Sequence, residues 1–134
     1  MEISIDPNPS QIQAAIAAIP KDVPVVMLNL LKYREQASYS GETSDLSGQQ
    51  AYAKYGEQAI KFVQEVGGEP IWMGSAKASL IAPEGEDWDK VLLVKYPSMS
   101  HFINMVMNPE YQAITKHRTA ALANSRLIAT IADS

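Results

Sequence analysis

Arg118 is the side chain whose type and position ask most directly for a chemical explanation. It falls inside the apolar stripe Tyr111, Ile114, Arg118, Ala121 and Leu122, on a helix that restarts at Asn108-Pro109. A guanidinium in such a stripe must be answered, because an unpaired buried charge is costly. Two readings follow. Arg118 closes a structural ion pair or caps backbone carbonyls, or it anchors a carboxylate or enolate, whose planar oxygens suit its paired N–H donors.

Asn29 and Tyr33 are the next candidates. They alternate with aliphatic residues along the run Val25 to Tyr33. Together with Arg118 they would polarise a carbonyl or hold an oxyanion. Trp72, Tyr111 and Tyr52 are candidate substrate-binding residues, since an apolar body with a polar tip suits both a core and a pocket wall. His117, beside Arg118, is a candidate general base, because imidazole titrates near neutrality. His101 is the other histidine. The two have no HxxxH or HxH companion, so no metal site is assigned, and no cofactor is implied.

These residues depend on a definite set of elements. Asn8-Pro9 reads as the cap and first turn of a helix with Ile12, Ala15, Ile16 and Ile19 on one face. Residues 2–5 alternate and suggest a short edge strand. Val25 to Tyr33 is apolar enough to be a central strand. Its alternation separates Val26, Leu28 and Leu30, which suit packing under helices, from Val25, Met27, Asn29, Leu31 and Tyr33, which suit a cavity wall. Residues 34–47 are polar and turn-rich, as expected of a lid or mobile loop. Ser47 caps a helix over about 48–66 with Tyr52, Tyr55, Ala59, Phe62, Val63 and Val66 on its apolar side. Strands are expected over Glu69–Ala82, with Gly74 a bulge, over Lys90–Tyr96, and over Arg126–Ile131. Two short helices follow Ser98 and Asn108. The order β-α-β-β-α-β is the ferredoxin-like plan, a four-stranded antiparallel sheet with helices on one face. That plan leaves the second sheet face bare, and homodimerisation is the simplest way to cover it.

Composition narrows the function. The length of 134 residues suggests one α+β domain, with 1–22 as an extension carrying the extra helix and 23–134 as the core. Net charge is -4 and the basic residues are scattered, which argues against nucleic acid. No Cys is present, so disulfide and thiolate chemistry is excluded. No apolar run reaches the roughly 18 residues of a membrane span, and the N-terminus lacks a leader pattern, so a cytoplasmic protein is expected. There is no GxGxxG, P-loop or GxSxG. Lys90 to Tyr96 lacks the spaced aromatics of an RNA-recognition strand. Glu84, Glu86, Asp87 and Asp89 read as a solvated turn.

The segment Met107-Asn108-Pro109-Glu110-Tyr111-Gln112, followed by Arg118 and Ala120-Ala121, resembles the signature of the bacterial domain-of-unknown-function family 1330. The resemblance is best over 88–131 and extends over 25–81. It implies a dimeric α+β barrel, in which two ferredoxin-like sheets pack face to face. Relatives in that superfamily include cofactor-independent monooxygenases, isomerases, haem-handling proteins and proteins of no known activity. The expectation is therefore a homodimer that acts, as an isomerase or monooxygenase, on a small carbonyl- or carboxylate-bearing metabolite. The alternatives are a non-catalytic small-molecule-binding or structural dimer, and haem or metal handling.

Overall fold

The computed structural model describes residues 2–133; residues 1 and 134, the ends of the expected domain span, lie outside it. The elements run α1 (Pro9–Ala18), β1 (Val25–Tyr33), β2 (Gln36–Tyr39), β3 (Glu42–Ser47), α2 (Gly48–Glu65), β4 (Glu69–Ser75), β5 (Lys90–Tyr96), α3 (Met99–Val106), α4 (Pro109–Ala121) and β6 (Leu122–Thr130).

Local chemistry sets the helix starts. The Asn8 side chain accepts from the N–H groups of Ser10 and Gln11 at 2.9 and 3.2 Å, and Pro9 occupies the first turn, where no donor is wasted. Ser47 and Gln50 form a reciprocal capping box at 3.0 and 2.8 Å. Asn108 accepts from Glu110 at 2.9 Å ahead of Pro109.

The main sheet has the order β4-β5-β1-β6 and is antiparallel throughout. This is the ferredoxin-like α+β arrangement, with α1 as the additional N-terminal helix. Helices α2, α3 and α4 cover one face. The larger core gathers Val25, Met27, Val94 and Tyr96 from the sheet with Ala59, Phe62 and Val63 of α2 and Met99, Phe102 and Met105 of α3. A second core joins Leu31 to Ala51, Tyr52, Ala120, Ala121 and Leu122. Ala15 and Ile19 of α1 pack against the first.

Several sequence expectations need correction. The two faces of β1 are exchanged: Val25, Met27 and Leu31 are 0, 2 and 0% exposed beneath the helices, while Val26, Leu28 and Leu30 lie half-buried on the open face. Alternation separates two faces without saying which is covered. Asn29 and Tyr33 lie on that same covered face and line an open cavity between sheet and helices. Residues 34–47 are not a loop. They fold into the hairpin β2–β3, turning at Ser40-Gly41 with φ of 51° and 84°, the paired positive values of a tight two-residue turn. Residues 2–5 form no strand. β4 stops at Ser75 because its partner runs out at the pair Ser75–Lys90, and Leu80 and Ile81 beyond it are 92 and 99% exposed. The register shift in β4 lies between Pro70 and Trp72 rather than at Gly74. β6 begins at Leu122, directly after α4, rather than at Arg126, so Leu122 belongs to the strand and not to the helix stripe.

Gly48 locks these parts together. Its N–H donates to the Arg34 carbonyl at 3.1 Å, and the Arg34 N–H donates to the Ala121 carbonyl at 2.8 Å. A Cβ on residue 48 would stand 2.1 Å from the Arg34 oxygen and 2.6 Å from that of Ala121, both backbone atoms. Gly48→Ala is expected to destabilise the fold by about 2 kcal/mol, read from the urea midpoint; an unshifted midpoint would show that the junction yields without strain.

Candidate functional site

Between the covered sheet face and the helices lies a cavity of ≈ 1190 Å³. Asn29 and Tyr33 project into it from β1, Leu92 from β5, Met73 from β4, and Ser125 and Leu127 from β6. Helix α2 lines it with Tyr52, Tyr55, Gly56 and Ile60, and α4 with Tyr111 and Arg118. The N-terminal segment through Ile5 and Asp6, with Ile12 of α1, completes the wall.

Arg118 is half-buried at the β6 side. Its Nη1 donates to the Ile5 carbonyl and its Nη2 to Ser125 Oγ at 3.4 Å. Both acceptors are neutral. Among the described residues the only ion pair is Lys32–Asp87, at 2.7 Å on the surface, so none of their carboxylates forms an ion pair with Arg118. The same stretch of chain ties down the N-terminal segment. Asn124 Oδ1 accepts from the Ser4 N–H at 2.8 Å, its Nδ2 donates to the Glu2 carbonyl at 3.1 Å, and Ser125 Oγ donates to the Ser4 carbonyl at 2.8 Å.

Beside the guanidinium is a chain of phenols. Tyr33 and Tyr52 have ring centroids 5.9 Å apart, Tyr52 stacks on Tyr55 at 5.3 Å and 15°, and the Tyr55 and Tyr111 hydroxyls are hydrogen-bonded at 2.6 Å. Burial pushes the Tyr52 phenol up to about 12, against the opposing pull of the Arg118 cation. Burial, and then the neighbouring Tyr111, raises Tyr55 well above the ordinary range. Tyr33 is raised by burial and then by the Asp89 carboxylate. These phenols therefore carry their protons at neutral pH and can donate. Asn29 Nδ2 donates to the carbonyls of Met27 and Leu92 at 3.3 Å each; its Oδ1 has no protein donor among the described residues.

Five candidates read from the sequence thus line one cavity: Arg118, Asn29, Tyr33, Tyr52 and Tyr111. Two lie elsewhere. Trp72 is 53% exposed on the open sheet face, opposite Leu93, with its ring over Gly74. His117 is turned to the hairpin, its Nδ1 2.7 Å from the Tyr39 hydroxyl. Burial, then Lys116 and Lys54, lowers its pKa. Two lining residues had been overlooked. Tyr55 shares the stripe of Tyr52 at three-residue spacing, a signal available in the sequence. Ser125 was hidden by the late start assigned to the last strand. Among the described residues, no three His, Asp or Glu side chains gather as a metal site would require.

The family model described as Domain of unknown function (DUF1330) matches residues 38–131. A protein of unknown function from Rhodopseudomonas palustris is 35% identical over 99% of both chains, with a TM-score of 0.89. A hydroxynitrile lyase from Passiflora edulis is 13% identical over 84% of this chain and 95% of its own, at 0.58. A dimeric protein of unknown function and ferredoxin-like fold from Bacteroides fragilis is 13% identical over 84% of this chain and 100% of its own, at 0.50. The last two likenesses are of fold alone. No protein of curated function matches the chain.

The buried phenols make alkaline stability a direct report on the site. Tyr52 is held near 12 in the folded state, against about 10 in the unfolded chain. Its contribution is complete below about pH 10 and is lost as pH rises toward 12, at up to ~1.4 kcal/mol per pH unit. Tyr52→Phe should flatten the alkaline fall of the thermal midpoint; the same slope in both proteins would mean that this phenol is not shielded.

Proposed function

The chain belongs to the family described as Domain of unknown function (DUF1330), and from that premise we propose that it binds and turns over a small, partly apolar carboxylate- or carbonyl-bearing metabolite in the sheet–helix cavity. The observation that carries this reading is Arg118: a guanidinium bordering an apolar cavity, held by neutral oxygens and without a carboxylate partner among the described residues. An incoming carboxylate or enolate supplies the missing negative charge. The protonated Tyr52 phenol adds a neutral donor beside it, so negative charge developing on a carbonyl oxygen is stabilised by groups already in place. That favours chemistry passing through an enolate, in an isomerase or a cofactor-independent oxygenase, with the cytoplasm as its setting.

A non-catalytic binding dimer is the second reading. It is favoured by the hydrogen bond from Arg118 to the Ile5 carbonyl, which gives the residue a structural task of its own. Solvent-deuterium exchange at the α-carbon of a bound oxo acid separates the two, because a pure binder leaves that C–H intact.

Self-association is part of the proposal. Val26, Leu28, Leu30, Val91, Leu93 and Ile128 form a continuous half-exposed apolar surface on the open sheet face, with Trp72 at its edge. A surface of that kind calls for a partner, and the similar fold from Bacteroides fragilis is described as dimeric.

Arg118→Met is expected to abolish binding of small carboxylates by calorimetry while the protein still melts cooperatively; retained binding would remove Arg118 from the site. Sedimentation should give a dimer at micromolar concentration that Leu28→Glu converts to monomer. A monomeric parent would reject the sheet-face assembly and leave the cavity reading intact.

A further inference from the structure

The floor of the cavity has a direction. In the strand register Asn29 stands opposite Leu127 on one side and Leu92 on the other, and Leu92 stands opposite Met73. Leu127, Asn29, Leu92 and Met73 therefore make one row across all four strands, and every member lines the cavity. Three strand spacings make that row about 14 Å long. Leu127 and Met73 are 45 and 57% exposed, and Asn29 and Leu92 are half-buried. The adjacent rows are less accessible: on one side Met27 and Val94 are buried, and on the other Leu31 and Ser125 are buried beside half-buried Lys90. The opening is thus a trough running across the strands.

The two ends of the trough differ. At the β6 end stand Arg118, hydrogen-bonded to Ser125, and the tied-down N-terminal segment. At the β4 end stands Met73, an adaptable apolar side chain. Above the trough, α2 turns Gly56 and Ile60 toward it. A Cβ built on Gly56 would meet nothing within 4 Å, so there is open space at this point of the roof.

Resting on the reading of Arg118 as an anion anchor, we infer that the ligand is an elongated amphiphilic acid: its carboxylate is held at Arg118 and its unbranched hydrocarbon portion lies across the sheet, over Asn29 and Leu92 toward Met73. A compact metabolite would fill only the Arg118 end. A hydrocarbon laid along the row would exchange water for Leu127, Leu92, Met73 and Ile60, and each methylene so buried adds a similar increment of affinity.

Calorimetric titration of the full chain with straight-chain acids from butanoate to decanoate tests this. Affinity should rise about fourfold per added methylene until the chain spans the sheet. Gly56→Leu, which fills the open roof and improves helix propensity, should weaken decanoate about tenfold more than butanoate. Met73→Asp, an exposed change at the far end, should show the same bias should the roof variant fold poorly. If butanoate binds and length adds nothing, or if both variants weaken short and long acids equally, the transverse tail site is wrong and the Arg118 anchor stands. If no acid of any length binds, the anchor fails and the tail site falls with it.

Discussion

The arrangement depends on a positive charge held by neutral oxygens. Placing Arg118 at the edge of an apolar cavity is unfavourable unless its N–H groups find acceptors, and they find the Ile5 carbonyl and Ser125 Oγ. Those acceptors satisfy hydrogen bonding but not charge. The constraint extends outward from there. The N-terminal segment must lie across the cavity to present Ile5, Asn124 and Ser125 must be buried to hold that segment, and α4 must enter β6 directly so that Arg118 and Ser125 face each other. The phenols of Tyr52 and Tyr55 stand beside the same charge as groups that stay neutral.

Much of the fold could be read in the sequence because the strong signals were local. Asn8-Pro9, Ser47, Ser98 and Asn108-Pro109 mark four helix starts by capping chemistry alone. The two apolar runs, Val25–Tyr33 and Lys90–Tyr96, are the two central strands. The failures arose where tertiary partners decide. A Ser40-Gly41 turn is a weaker hairpin signal than Asn-Gly, so β2 and β3 passed for loop. Leu80 and Ile81 look like strand but have no strand to pair with. Asn124 and Ser125 look like loop but are buried polar residues whose hydrogen-bond partners lie about 120 positions away in sequence.

The candidate site was legible in its residue types more than in its geometry. Arg118, Asn29, Tyr33, Tyr52 and Tyr111 do line one cavity, yet the face assigned to β1 was inverted. A cavity under helices makes polar residues on a covered face look as though they belong on an open one. The aliphatic face of Val26, Leu28 and Leu30 is complementary to that error: it appeared to be core because it is apolar, and it is left open on this chain. The polar side of the central strand thus lines the cavity, and its aliphatic side is the one left open.

The direct passage from α4 into β6 also constrains how this architecture can vary in length. Helix and strand share a boundary at Ala121-Leu122 with no residue to spare, and the Ala121 carbonyl is already engaged by Arg34, which in turn holds Gly48. An extra residue there would rotate the strand's side chains by half a turn and carry Ser125 away from Arg118. Insertions and deletions should therefore gather in residues 77–85, where the exposed Leu80 and Ile81 carry no such geometric burden.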